Sequence, residues 1–255
     1  MPRRIDLNCD MGEGFGAYAM GNDSQVLPFV SSVNLACGFH GGDPRVMDRS
    51  VAMALRAGVA IGAHPSHYDL RGFGRRAIRA DPEEVEADVV YQLGALLAFV
   101  RSHGAKLSHV KPHGALYHQA AEDLATARAV ARAVARVGRE LRLVGIAGSE
   151  ALRRAADEAG LALAAEAFAD RRYNPDGTLQ SRQIDGALIL DPQAAAEQAA
   201  RIASEGRVVA VDGSAIPLRA DTLCLHGDNI NAEEIAWAVR QALDAAGVEV
   251  RALDR

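Results

Sequence analysis

Apolar and polar positions along this chain follow two different periods. Short apolar runs at 5–10, 32–37, 59–63, 107–111, 141–147, 161–166 and 222–226 read as strands. Between them, segments near 44–57, 82–103, 122–138, 149–159, 192–204 and 231–246 carry apolar residues at helical spacing. Strand followed by helix, repeated, predicts parallel βα units. Asp43-Pro44, Asp81-Pro82, Ser149 and Asp191-Pro192 mark helix starts, because a capping side chain comes first and, in three cases, proline occupies the first helical position. The Ala-rich, Arg-studded stretch ATARAVARAVARVGRE predicts a helix with a solvated charged face, and Trp237 reads as core at its helical spacing. One region departs from the rhythm: in GRVVAVDGSAIPLRAD two apolar runs flank Asp212-Gly213, the signal of a hairpin. The prediction is an α/β fold, a distorted TIM-like (β/α)7 barrel. Residues 1–255 would form a single domain with a β-hairpin excursion near 207–220, since no linker or composition shift divides them.

Side chains alternate across a strand, so parity assigns them to faces. Asp6, Asn8 and Asp10 share one face of the first run, opposite Ile5, Leu7 and Cys9. The same parity gives Asn34-Ala36-Gly38 leading to His40, Ala60-Gly62 leading to His64, and Ala162-Ala164 leading to Glu166. His109, Lys111 and His113 share a face of the fourth run, and Cys224, His226 and Asp228 share one in the last. These groups end near strand C-termini, the face where βα barrels gather their chemistry. Bland roles fit other residues: Asp43 as a helix cap, His103 as a cation closing a helix, and Asp6 as a buried structural partner.

Composition narrows the picture. A chain of 255 residues with 49% hydrophobic and 24% charged residues is an ordinary globular protein. A net charge of -5 offers no footprint for nucleic acid. No run of about 18 apolar residues suggests a membrane span, and MPRRIDLNCD enters a strand at once, so the expected location is cytoplasmic. Cys9, Cys37 and Cys224 form no CxxC pair and read as small buried apolar residues. Gly14-x-Gly16-x-x-Ala19 is not a dinucleotide fingerprint: Gly21-Asn22-Asp23 and Pro28 interrupt any following helix, and Asp10 and Glu13 would repel a pyrophosphate. Those glycines instead allow a tight first loop carrying Asp10 and Glu13.

The segments DLNCDMGE, NLACGFHGGD, GAHPSH, VKPHGALY, EAFADRRY and CLHGD resemble, in order, the signatures of the LamB/YcsF family, also known as the 5-oxoprolinase A-subunit family. The resemblance covers nearly the whole chain, and the ordered set is specific where GAHP alone would not be. It implies a seven-stranded barrel of the glycoside hydrolase/deacetylase type. It also implies ATP-dependent hydrolysis of the lactam of 5-oxoproline (pyroglutamate) to L-glutamate. Two other 5-oxoprolinase subunits, resembling allophanate-hydrolase or urea-amidolyase components, are the implied partners. ATP would serve the complex, for this chain has no G-x-x-x-x-G-K-[ST] phosphate cradle.

A five-membered lactam holds its amine and carboxylate together, with effective molarities that can reach about 10⁵ M, so opening it benefits from ATP coupling. Asp10 or Glu166 is the candidate general base, with Glu13 as a further carboxylate on the first loop. Lys111 and a protonated histidine, with His40 and His64 at hand, could hold a carboxylate or a developing oxyanion. His113 and His226 are candidates for protonating the leaving nitrogen, and Asn8, Asn34, Arg171, Arg172 and Asp228 for substrate contacts. Asp10, His40 and His64 could instead hold zinc or another divalent ion, as Asp/His/His triads do in related deacetylases. No local spacing separates that reading from a metal-free acid–base cluster. Two other functions compete: a metal-dependent amide or carbohydrate deacetylase, and a non-catalytic binding subunit for a small anionic metabolite.

Overall fold

The computed structural model describes residues 3–227 and 231–253. In chain order its elements are β1 (Arg3–Met11), α1 (Asp23–Val26) with a 3-10 turn at Leu27–Phe29, β2 (Ser32–Ala36), α2 (Pro44–Ala57), β3 (Ala60–His64), α3 (Pro82–Ser102) and β4 (Leu107–Val110). Then follow α4 (Gly114–Glu122), α5 (Leu124–Val137), β5 (Arg142–Ile146), α6 (Glu150–Ala159), β6 (Leu163–Phe168) and α7 (Pro192–Glu205). The chain ends with β7 (Arg207–Val209), β8 (Ala215–Pro217), β9 (Thr222–His226), α8 (Ala232–Ala245) and β10 (Val248–Val250). The main sheet runs β10-β1-β2-β3-β4-β5-β6-β9 with β1 also paired to β9, the topology of a seven-stranded parallel β/α barrel carrying one extra strand. The expected fold class holds.

The helix starts follow the capping chemistry. Asp43 accepts the Arg45 and Val46 N–H groups, Ser149 that of Leu152, and Asp191 that of Ala194. The Asp81 N–H donates to Glu84 Oε2, one half of a capping box. β7 and β8 pair antiparallel across a turn in which Asp212 accepts the Ser214 N–H and Gly213 takes a φ of 86°.

Packing gathers the chain into two compact units, and β1, β2 and β6 each give residues to both. One unit comprises residues up to Cys9, Asn22–Ser32 and Ala165–Leu253. There α7 packs on α8, with Ala195, Ala199 and Ile202 buried on α7 and Ile235, Ala236, Val239 and Leu243 buried on α8. The other unit comprises Asp10–Gly21 and Val33–Ala164. In it Val89, Leu93, Leu96 and Val100 of α3 lie at i, i+4, i+7 and i+11, fully buried, and α5 answers with Ala127, Val130, Ala131 and Val134. Small alanines let the two helices approach closely, and each buried Val or Leu contributes about 1.5–3 kcal/mol.

Three features depart from the sequence reading. The chain forms a separate short helix, α4, inside a stretch whose Lys-Pro-His-Gly reads only as chemistry; Leu116, Tyr117 and Ala120 are its buried face. β10 extends the sheet along Arg3–Ile5, ahead of the point where the Asp6 N–H donates to Asp221. Trp237 is 55% exposed rather than core, because it sits one position off the apolar stripe of α8. All three cysteines are buried and unpaired by disulfides, as expected. No helix among the described residues is long and apolar enough to cross a membrane.

Candidate active site

The unit built from Asp10–Gly21 and Val33–Ala164 brings together groups from four separate stretches. Asp10 lies near the end of β1 and Glu13 just beyond it; His40 follows β2, His64 ends β3, and Lys111 and His113 follow β4. Asp10 is the hub. Its Oδ1 accepts from Lys111 Nζ at 3.0 Å and from Asn34 Nδ2 at 2.8 Å. That fixes the Asn34 amide, so its Oδ1 must accept from His109 Nε2 at 2.7 Å; the Ser108 hydroxyl lies 2.7 Å from His109 Nδ1 and 2.9 Å from the Ile61 carbonyl. Burial, then the Lys111 charge, pushes the His109 imidazole down to about 3, consistent with this neutral ring. Room for it comes from Gly62, its partner across β3 and β4, where any Cβ would fall inside the His109 ring.

Beside Asp10 stand three more imidazoles. His64 Nε2 is 3.3 Å from Asp10 Oδ2 and 2.9 Å from His113 Nδ1. His40 Nε2 is 3.1 Å, and His113 Nδ1 3.4 Å, from Glu13 Oε1. His40 and His113 stack with ring centroids 3.8 Å apart, and Phe73 meets both edge-on. Burial, followed by the neighbouring ring charges, lowers both His40 and His113 well below the usual histidine value. Phe73 has a left-handed φ of 56°, a costly conformation for a bulky residue, and its carbonyl accepts from His113 Nε2 at 2.8 Å. Its turn is held by Asp69, which accepts from the Gly72 N–H and from Arg76. Gly74 follows against His113, Ser66 and His40, where a Cβ would be crowded.

The other unit holds two polar groups of its own. Asn8 Nδ2 donates to Glu166 Oε1 at 3.0 Å and to Thr222 Oγ1 at 2.7 Å, and Thr222 in turn donates to Asp6 Oδ2 at 2.5 Å. Ser31 and Ser32 also donate to Asp6. Asp6 is thus the buried partner its parity suggested; burial raises its pKa against the lowering effect of these hydroxyls. Separately, Asp170 accepts the His226 main-chain N–H at 3.0 Å and its Nδ1 at 2.9 Å, with Phe168 stacked on the ring. Burial opposes ionisation of Asp170, but the His226 charge and donor bonds outweigh it and hold the carboxyl below its ordinary range. Arg171 is buried, donates to the Gln180 carbonyl, and keeps its Nε without a partner. Burial and then Arg182 push its guanidinium down to about 10.

Of the residues selected from sequence, Asp10, Glu13, Asn34, His40, His64, Lys111 and His113 thus fall into one connected cluster. Asn8 and Glu166 are bonded to each other, and His226 to Asp170. Arg172 is exposed, its Nε on the Gly186 carbonyl, and does not share the burial of Arg171. Asp228 lies outside the described residues. One ligand atom each from Glu13, His40, His64 and His113 lies within 4.8 Å of the others, a group that shares His40 and His64 with the Asp10, His40 and His64 set drawn from sequence, while Asp10 is engaged by Lys111 and Asn34. Asp170, Phe73 and His109 were not selected. Asp170 carried a usable signal, since it continues the parity of Glu166 through Phe168. Phe73 carried none, because its role is performed by a carbonyl.

Strand order and a polar cluster at strand C-termini define a seven-stranded parallel β/α-barrel protein. A family 4 carbohydrate esterase from Streptomyces lividans shares this fold at TM-score 0.51 and 10% identity, over 98% of this chain and 93% of that one. Residues 5–255 match the LamB/YcsF family model, and the chain belongs to that family. It is 52% identical over 250 residues to the 5-oxoprolinase A subunit of Brevibacillus brevis, covering 98% of each. With the 5-oxoprolinase A subunit of Chloroflexus aggregans it shares 54% over 247 residues, 97% of this chain and 98% of the other. The crystal structure of a lactam utilization protein from Thermus thermophilus superposes at TM-score 0.93 with 51% identity, covering 98% and 100%.

Proposed function

We propose that this chain is the lactam-handling hydrolase subunit of an ATP-dependent 5-oxoprolinase, opening 5-oxoproline to L-glutamate together with two partner subunits of allophanate-hydrolase or urea-amidolyase type. The observation that carries the reading is identity above half, over nearly the whole length, to relatives named as the A subunit of 5-oxoprolinase. The chemistry of the Asp10 cluster suits it. Lactam opening needs a base for water, positive charge for the developing oxyanion, and a proton for the leaving nitrogen. Asp10 supplies the carboxylate, held in place by Asn34 and behind it His109. Lys111, 3% exposed, presents an ammonium in the same small space, where a low dielectric strengthens its pull on an oxyanion. His113 supplies an imidazole on the same side as Asp10 and His64. ATP is consumed through the partners, which activate the lactam before this chain completes its opening. A cytoplasmic location fits that role.

Reconstitution tests the proposal. ATP-coupled glutamate release from 5-oxoproline is measured with the partner subunits alone, with this chain, and with Asp10→Asn. The expected loss on Asp10→Asn is about 10²–10⁴-fold, the usual contribution of a positioned base. Undiminished turnover without the chain would refute the proposal; turnover by the chain without ATP or partners would favour a stand-alone amide or carbohydrate deacetylase.

A further inference from the structure

Main-chain bonds clamp the residues that follow β6 from several sides. The Ile189 N–H donates to the Asp170 carbonyl at 2.8 Å, the Arg172 N–H to the Ala187 carbonyl at 3.0 Å, and the Gln180 N–H returns to the Arg172 carbonyl at 2.9 Å. From α7, Gln198 Nε2 donates to the Phe168 and Arg171 carbonyls at 2.9 and 2.8 Å, and the Phe168 N–H donates to the Tyr173 hydroxyl at 2.8 Å. This frame fixes one unusual side chain. Arg171 is 4% exposed, yet only its Nη2 is paired, with the Gln180 carbonyl at 2.7 Å, while Nε is buried without an acceptor. A guanidinium keeps its charge at neutral pH even here, and a buried donor left unmet costs stability that an apolar side chain would not.

A second guanidinium comes close. Two residues beyond Gln180 stands Arg182, whose charge bears on Arg171 more strongly than any other and also reaches Asp170. Arg182 is exposed and has no ion pair among the described residues. The carboxylate beside both, Asp170, is ionised at neutral pH but already accepts the main-chain N–H and Nδ1 of His226. Two cations therefore share one engaged anion, and the group lacks a negative charge. We infer that Arg171 and Arg182 form a binding site for the carboxylate of a small organic acid. One carboxylate balances the charge, and its two oxygens match the planar guanidinium in a way that a tetrahedral dianion such as phosphate, with more charge than the group lacks, does not. The clamped backbone holds Arg171 ready, so little order has to be gained on binding. The identity of the acid rests on the lactam reading: 5-oxoproline bears one carboxylate beside its ring.

The test reads binding at Arg171 itself and needs no turnover. The full chain is prepared with isotope-labelled arginine, and the NMR signal of the Arg171 Nε–H, identified by its loss in Arg171→Lys, is followed at constant ionic strength. Acetate, 5-oxoproline, pyrrolidinone (the same ring without a carboxylate) and inorganic phosphate are titrated in turn. Acetate and 5-oxoproline should each move the signal saturably, 5-oxoproline at the lower concentration, and pyrrolidinone should leave it in place. Titration calorimetry gives the affinities independently of that signal. Arg182→Gln, a change at an exposed position, should weaken both carboxylates by about tenfold or more, the worth of one charge-assisted hydrogen bond. Arg207→Gln is the control, its guanidinium lying on Glu205 at the surface, and should bind as the parent does. A response to acetate without one to 5-oxoproline would support the carboxylate site and count against the lactam as its ligand. No saturable binding of either carboxylate, tighter binding of phosphate, or affinity unchanged in Arg182→Gln overturns the inference.

Discussion

Gly62→Ala is the smallest change that should damage the Asp10 cluster. Gly62 is buried and pairs with His109 across β3 and β4, and an added methyl would fall inside the His109 imidazole. Carbon atoms sit comfortably at about 3.5–4.0 Å, so the ring must move by roughly 1 Å or more. Moving it stretches the 2.7 Å bond to Asn34, whose other end holds Asp10. Overpacking of this kind costs about 1–3 kcal/mol, and stranding a buried donor and acceptor costs about 1–3 kcal/mol more. The two effects overlap, which gives about 3 kcal/mol, or a fall in Tm of about 6–12 °C for a chain of this size. Gly94→Ala is the matched control: this glycine lies in α3 on an exposed face with nothing within 4 Å of the new methyl. Alanine there should stabilise by about 0.5–1 kcal/mol, because glycine is the poorer helix former. Urea denaturation followed by far-UV circular dichroism measures both. Gly62→Ala within about 0.5 kcal/mol of the parent, the usual range of neutral surface changes, would refute the claim that His109 is held by close packing on this glycine.

Two further outcomes follow from the other unit. Thr222→Val keeps the side-chain shape but removes the hydroxyl that donates to Asp6 and accepts from Asn8; equilibrium unfolding should show a loss of about 1.5–3 kcal/mol, the range for hydrogen bonds to charged groups. Asp170→Asn should destabilise at neutral pH by weakening a buried charged pair, and the penalty should shrink in acid. The folded-state pKa of Asp170 lies below the ordinary 3.8, so its contribution is full above that value and is lost as pH falls through the lowered one. A penalty unchanged between pH 7 and pH 3, followed by denaturant titration at each pH, would contradict the assignment.

Much of the site was legible because strand parity is a two-valued code. Once Asp10, His64 and Lys111 are placed at strand ends, their faces follow from counting, and the small residue Gly62 marks where a bulky polar group, His109, needs room. What parity cannot show is which atom of a polar residue meets which. Asn34 could be selected as polar and inward, yet its work is to turn its amide so that Asp10 accepts and His109 donates. Phe73 could not be selected at all, since its contribution is a carbonyl presented by a left-handed backbone.

The same distinction explains why α4 and Trp237 escape a reading by pattern. A nine-residue helix opening on Gly114 has little propensity of its own and exists because Leu116, Tyr117 and Ala120 are buried beneath it, a tertiary cause invisible in a local window. The size of Trp237 points to the core, but membership of a helix's buried stripe depends on angle. At about 100° per residue, a shift of one position from Ala236 carries a side chain from the packed face towards solvent. Cores and sites here are therefore readable to the same depth: periodicity states which residues can meet, and only the packed backbone decides which atoms do. His64 and His113 are the clearest case, because two histidines that the sequence treats alike are distinguished by which nitrogen a neighbouring carbonyl claims, Nδ1 of His64 for Lys111 and Nε2 of His113 for Phe73.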